Sequence, residues 1–403
     1  ELAEEAFSIY EEIGDKRGSM SALISMAYAH VTDPTATGMA GRMEHIRALH
    51  HSKKGEITES QRAIDDALML YSIHTYARTN LQPGLALERG REAFEAARAL
   101  GDRWLESLAA GGMAMTYLSI GDDSQCEAWL DRAASAAISV ASTSMARRLE
   151  MWRGAHAAAR DDLARMIGHL ERAAELAGQR NLGARCEALS TLAFEAARIG
   201  VSTGDETTLK KAKDAAAETL RAIRPIGGQL PWEADAHAAL ALVAQAEGDE
   251  ATAADEARLA LDLDGETFLA QYLHVLWVAG RVLIVGDAPE APALSAEILA
   301  GFGFIDMSIA DPDLKARWFG LPVHRELAEI VGFEYSRAIE PDENVELGEA
   351  ELGLLRDLAS GTVTANPLGG PDSSDVEELL VKLGVASESE AIEYAIKAGV
   401  TWQ

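Results

Sequence analysis

The sequence predicts an all-α chain, a solenoid of helical hairpins followed by a small helical unit at its end. Three observations carry this. Hydrophobic residues make up 48% of the 403 positions but aromatics only 6%, so the core must be built mostly from Ala and Leu in close helix–helix contact. There are only 11 prolines and no long alternating run of Val, Ile and Thr, which removes the strand signal. A Gly-Asp turn or an equivalent also recurs along most of the chain, at a spacing that fits two helices and their loops.

Taken in order, ELAEEAFSIYEEIGDKRG (1–18) places Leu2, Ala6, Ile9 and Ile13 on one helical face that needs a partner helix before it. The sequence is therefore expected to be the C-terminal piece of a longer polypeptide. The turns lie at Gly55, Gly84, Gly121, Asp161, Gly204, Gly248 and Gly286, with successive separations of 29, 37, 40, 43, 44 and 38 residues. The first separation is too short for two full helices and predicts an abbreviated hairpin. Small or apolar residues stand five positions after the turns (Cys126, Met166, Leu209, Ala253, Ala291) and twelve after them (Ala67, Ala96, Ala133, Ala173, Ala216, Ala260, Ile298). Seven before them stand Ala48, Ala114, Gly154, Ala241 and Ala279. Small residues at fixed places let paired helices approach, and the turn glycine permits a left-handed backbone between them.

This pattern resembles the tetratricopeptide repeat (TPR), a helix–turn–helix unit that stacks into a superhelix. The closest single stretch is 234–261, ending GDEATAADEARLAL, while IGDKRG (13–18) and LGDRW (100–104) are similar to the looser TPRs of bacterial regulators. The period exceeds the family's usual repeat of about 34 residues, and most units lack its Trp, Tyr and Pro. The array is expected over 1–300, with capping helices over 301–337, where Pro322 suits a helix start.

Catalytic and ligand constellations are missing from the sequence. There is no GxxxxGK[ST], no HExxH and no CxxC, so no phosphate cradle or standard metal site is written in it. His50 and His51 point about 100° apart on a helix and suit packing or surface better than chelation. Asp161 and Asp162, between His156 and His169, read as a solvated turn with a capping Asp. GFGF (301–304) lacks the strand–helix setting of a nucleotide loop. Cys126 and Cys186 read as reduced core thiols of a cytoplasmic protein, and no apolar run is long enough to cross a membrane. With 65 acidic against 36 basic residues the chain carries net charge −29, which opposes nonspecific binding to nucleic acid or anionic membrane. Neither an enzyme nor a cofactor is expected. The groove over roughly 104–280 is expected to take an effector: a protein or peptide, a basic segment being the natural guess, or a small molecule. Of the seven tryptophans, most would wedge helices together and one or two could line that groove.

An acidic linker, AIEPDENVE (linker 338–346), leads to a last unit at 347–403. There LGEAELGLLRDLASG (347–361) and VKLGVASESEAIEYAIKAGV (381–400) resemble the two ends of the LuxR-type helix-turn-helix domain. Leu347, Glu351, Leu354, Leu355, Leu358, Ala359 and Gly361 match the family's opening. Lys382, Leu383, Gly384, Val385, Ser387, Glu390, Ala391, Ile392 and Ala395 match its close. Ser387 and Glu390 also form a capping box. The middle departs from the family, being shorter and interrupted by Pro367, Gly369, Gly370 and Pro371, which removes the second helix and the start of the recognition helix. Where that family reads base edges and phosphates, this chain carries Asp372, Ser373, Ser374, Asp375, Glu377 and Glu378. The resemblance therefore implies a degenerate helix-turn-helix.

The resemblance implies a bacterial transcriptional regulator in signal transduction, with an upstream ATPase, sometimes a cyclase-like domain, and DNA as a partner. The local chemistry implies instead a scaffold whose terminal unit serves docking or dimerisation. Both readings stand at the level of sequence.

Overall fold

The computed structural model describes residues 59–335 except 80, 180, 225–230, 264–268 and 310, and then 347–348, 351–355, 373–383 and 391. Among these residues all regular structure is helical. Helices α1 (Glu59–Thr79) and α2 (Pro83–Leu100) make the first hairpin. The next three are α3 (Arg103–Ser119) with α4 (Asp123–Ala137), α5 (Thr143–Ala159) with α6 (Leu163–Ala177), and α7 (Leu182–Thr203) with α8 (Glu206–Ile223). The fifth pairs α9 (Pro231–Glu247) with α10 (Glu250–Asp262). The sixth pairs α11 (Leu269–Ala279), prolonged by a π-helical turn at Gly280–Ile284, with α12 (Ala291–Ser308). Two short helices come next, α13 (Pro312–Gly320) and α14 (Pro322–Val331). In the last unit a helical stretch at 351–355 precedes α15 (Ser373–Leu383).

The recurring dipeptide explains each hairpin. Gly121, Gly204 and Gly248 adopt φ of 69°, 67° and 79°, the left-handed geometry that ends a helix without a Cβ clash. The next residue does two jobs. Asp122, Asp205 and Asp249 return their N–H groups to the carbonyls of Tyr117, Gly200 and Ala244. Their carboxylates accept from the N–H groups of Gln125, Thr207 and Thr252, each at 3.1 Å, capping the second helix. Such a cap contributes about 1 kcal/mol. In the third hairpin Asp161 takes the left-handed place at φ 53° and Asp162 caps α6.

Two expected turn residues are corrected. Gly84 lies in the first turn of α2, and the left-handed residue is Leu81 at φ 54°. A Pro83-Gly84 helix start disguised the turn, because both residues are common at turns. Gly286 sits one residue early, and Asp287 carries φ 55°. Counting from Leu81 places Ala86 and Ala93 at the positions five and twelve later, and both are fully buried, whereas Ala96 is only half-buried. The expected abbreviated hairpin also disappears, since α1 alone spans 21 residues. The array boundary expected at 300 falls inside α12, so the sixth hairpin extends to Ser308. Gly55, His50, His51, Ala48, the first 18 residues and the 338–346 linker lie outside the described residues.

Hairpins stack through small residues. Cys126, Met166, Leu209, Ala253, Ala133, Ala173, Ala216 and Ala260 are all buried. The second helix of each hairpin packs on the first helix of the next, and successive first helices touch one another. Glycines mark the tightest crossings. A Cβ on Gly111 would lie 2.0 Å from the Trp152 ring, and one on Gly112 would lie 2.5 Å from His74 Nε2. The Gly-Gly pair of α3 is therefore pressed between a tryptophan from α5 and a histidine from α1. His74 Nδ1–H donates to the Ala86 carbonyl at 2.8 Å, while its Nε2 is buried without a hydrogen-bond partner.

Beyond the array, Phe302, Trp318, Phe319 and Phe333 form one aromatic cluster that fixes α13 and α14 to α12. GFGF lies inside α12, and its Phe302 belongs to that cluster. His324 rests on the Trp318 ring and donates Nδ1–H to the Trp318 carbonyl.

This packing can be probed by substitution. Gly112→Ala should lose roughly 1–3 kcal/mol through overpacking, although alanine gains about 1 kcal/mol in helix propensity. Gly168→Ala in α6, where nothing lies within 4 Å, should gain from propensity alone. Urea denaturation of the two variants should therefore give opposite signs. For His324, burial pushes the pKa down to about 4, as it does for His74. The unfolded chain binds these protons near pH 6.5 and the folded chain does not. Stability is therefore present above pH 6.5 and is lost as pH falls towards 4, by roughly 3 kcal/mol for each histidine. His324→Asn should flatten the urea midpoint between pH 7 and 4.5; parallel profiles would refute the assignment.

Candidate functional site: the inner face and the seam between the second and third hairpins

Successive first helices touch while successive second helices make no comparable contact, so the row α1, α3, α5, α7, α9, α11 lies on the inside of the curve. Ten residues before the left-handed turn residues stand Gly111, Phe194, Ala238 and Trp277. The Phe194 and Trp277 rings meet with centroids 6.1 Å apart, on α7 and α11, on either side of the helix that carries Ala238. This position faces inward. His274 stacks on Phe194 at 4.8 Å, and burial lowers its pKa. Trp277 Nε1–H donates to Glu326 of α14 at 3.0 Å, and Arg281 pairs with the same carboxylate at 2.7 Å.

Charged groups line the first helices as pairs between neighbours. Arg147 of α5 meets Glu187 of α7 at 2.9 Å. Arg198 of α7 reaches back to Asp161 at 3.0 Å and donates to the Ala158 carbonyl at 2.7 Å. His156 and His169 do not converge on the Asp161-Asp162 turn. Instead His156 meets Asp123 at 2.6 Å and His169 meets Glu150 at 2.7 Å. One of these pairs has a mirror. Glu150 stands eleven residues before its turn and His169 eight after; in the fifth hairpin the same positions hold His237 and Glu256, 2.6 Å apart with the residue types exchanged.

The seam between α4 and α5 is wedge-shaped. At the N-terminus of α4, Asp123 holds His156 and Arg160 and closes it. Towards the C-terminus of α4 the helices part around a cavity of about 540 Å³ lined by Ala134, Ile138, Val140, Ala146 and Leu149, with Asp131 and Arg153 among its polar groups. Ile138 is 87% exposed. Sequence periodicity could not show this cavity, because Ile138 and Val140 sit in the connection after α4.

The two cysteines are buried, and burial first of all raises the Cys126 thiol to about 12 and the Cys186 thiol upward. No group of three or more potential metal ligands comes together among the described residues, and no described helix is long and apolar enough to cross a membrane. Of the helix-turn-helix matches, Leu355, Leu383 and Ala391 are buried. Leu347 precedes the 351–355 helical stretch. Glu351 accepts from the Gly348 N–H and pairs with Lys382 at 2.7 Å, bringing opening and close together. A helix, α15, runs up to Leu383 where the sequence suggested that one was erased at its start. Gly361, Gly384, Val385, Ser387 and Glu390 lie outside the described residues.

No known family description matches the chain, and no curated protein does. Among solved structures it is similar to a Rap protein complexed with competence and sporulation factor, at 13% identity and a TM-score of 0.54, over 82% of this chain and 91% of that one. The likeness is one of fold. The architecture is a TPR-like solenoid of helical hairpins.

The mirrored pair gives a direct test. Glu150→His should cost roughly 0.5–1 kcal/mol by removing the partner of His169. The exchange Glu150→His with His169→Glu should restore most of it, as the fifth hairpin already carries that arrangement. Thermal denaturation measures both; an exchange no better than the single variant would deny the equivalence.

Proposed function

We propose that the chain is the partner-binding part of a regulatory protein, non-catalytic and cytoplasmic, whose superhelix takes a protein or peptide segment. The α4–α5 cavity with exposed Ile138 carries this reading, because an apolar recess beside a stacked inner row is what an inserted side chain needs. Its support from likeness is the Rap fold, seen in complex with a factor. The acidic balance favours an apolar segment flanked by basic residues. In the fuller form of this reading an ATPase segment precedes the array and the terminal unit is of LuxR type, so that binding in the array governs that unit.

For the terminal unit, a docking or dimerisation role is favoured over DNA. Lys382, one of three basic residues in 347–403, is engaged by Glu351. Calorimetric titration of the whole chain with short peptides carrying Leu-Leu between lysines should show uptake, while Leu-Leu between glutamates should not bind. Ala134→Trp, which fills the recess, should weaken uptake at least tenfold. Equal uptake by wild type and this variant would move the site elsewhere. Gel shifts at low salt should show no retained DNA; binding with a steep salt slope would restore the DNA reading.

A further inference from the structure

The C-terminal helices touch a hairpin that is remote in sequence. Arg317 of α13 pairs with Asp122 at 2.7 Å across 195 residues. Beside it, the Leu321 side chain lies 3.4 Å from where a Cβ on Gly121 would stand. At the other end the same helices are firmly held. Leu327 is fully buried against Gly280, Glu326 binds Trp277 and Arg281, and the aromatic cluster locks α13 to α12. The arm is thus held at its root in the sixth hairpin, and among the described contacts it meets the second hairpin through an ion pair whose arginine is half-exposed and through Leu321 against Gly121.

On its outer side the second hairpin is also less closely joined to the third, whereas on the inner side Trp152 packs on Gly111. The α4–α5 seam is packed less closely than the seams at α2–α3, α6–α7 and α8–α9, and it contains the cavity. Asp122 and Asp123, adjacent at the start of α4, take basic side chains from both directions: Arg317 from the arm, His156 and Arg160 from the third hairpin. A loose seam on one side and a reversible contact on the other let the first two hairpins swing as a body relative to the rest.

We propose that the Arg317–Asp122 contact is a clasp that closes the superhelix on itself and sets how open its inner face is to a partner. The significance for a partner rests on the partner-binding reading above; the clasp itself does not. With the clasp closed, α13 bridges from the sixth hairpin to the turn of the second. Released, the second hairpin is free to pivot at the α4–α5 seam. Because the Arg317 side chain is half-exposed, screening weakens the pair, and ionic strength or a competing cationic side chain at Asp122 opens it.

The test uses the full chain with spin labels on Gln125→Cys in α4 and Glu329→Cys in α14. Both positions are accessible, and the native thiols are buried, so labels attach to the introduced sites. Electron–electron distance measurement at about 0.05 M salt should give one narrow distribution that broadens to longer distances at about 1 M salt, where screening acts within ~3 Å. Arg317→Glu should show the open distribution at low salt. Asp122→Asn, which retains a capping oxygen for α4, should open as well and lose its salt response. Distributions that superimpose on wild type in both variants would overturn the clasp. Peptide uptake is not needed for the result, so a failed clasp and a failed binding site are separate outcomes.

Discussion

The structure depends on how each hairpin turns. A helix cannot reverse in so few residues unless one backbone unit goes left-handed and the next helix finds acceptors for its unpaired N–H groups. Gly121-Asp122, Gly204-Asp205 and Gly248-Asp249 meet both demands in two residues. With the turn fixed, the positions five and twelve residues later fall on the face that meets the partner helix, and Ala or another compact residue is required there. The solenoid arises from repetition of that local event. Part of the acidic excess has the same origin, since Asp102, Asp122, Asp162, Asp205, Asp249 and Asp311 all cap helices. Carboxylates at helix N-termini also oppose the positive end of the helix dipole.

Against this regular background the rings and glycines break the pattern in a coupled way. His74 occupies a place seven before its turn that holds Ala114, Gly154, Ala197, Ala241 and Gly280 in the other hairpins. A ring fits there because Gly90 and Gly112 leave it room. Trp152 likewise needs Gly111, and Trp232 lies against Gly183. Side chains of the wrong size are accommodated by residues of no size, so the stack remains close while individual layers acquire identity. On the inner face, Ala238 lies between Phe194 and Trp277, and the aromatic pair ties α7 to α11.

Stacking strength is uneven, and the unevenness has a place. On the outer side the third hairpin packs more closely on the fourth, through α6–α7, than on the second, through α4–α5. The loose seam holds the apolar cavity and faces the tip of the C-terminal arm across Asp122 and Asp123. Access to an inner face is then governed by curvature, which a few exposed ion pairs can bias without disturbing the buried layers.

Much of the fold was legible in the sequence because it is local. Turn chemistry, capping residues and small-residue spacing act within a dozen positions, so the all-α hairpin array could be read directly. Leu81 and Asp287 were missed because nonglycine residues there adopt the left-handed geometry under tertiary constraint, while glycines stand close by. The candidate site was legible only as a region. The inward direction of Phe194 and Trp277, the opening at Ile138, the Glu351–Lys382 pair and the reach of Arg317 to Asp122 join residues far apart in sequence. By itself the sequence determined that hairpins form and stack, since each turn is closed by its own neighbours. Only the tertiary structure decided the curvature, the loose seam and the return of the C-terminal arm, because small angular differences between layers accumulate over the six described hairpins and no single layer encodes their sum.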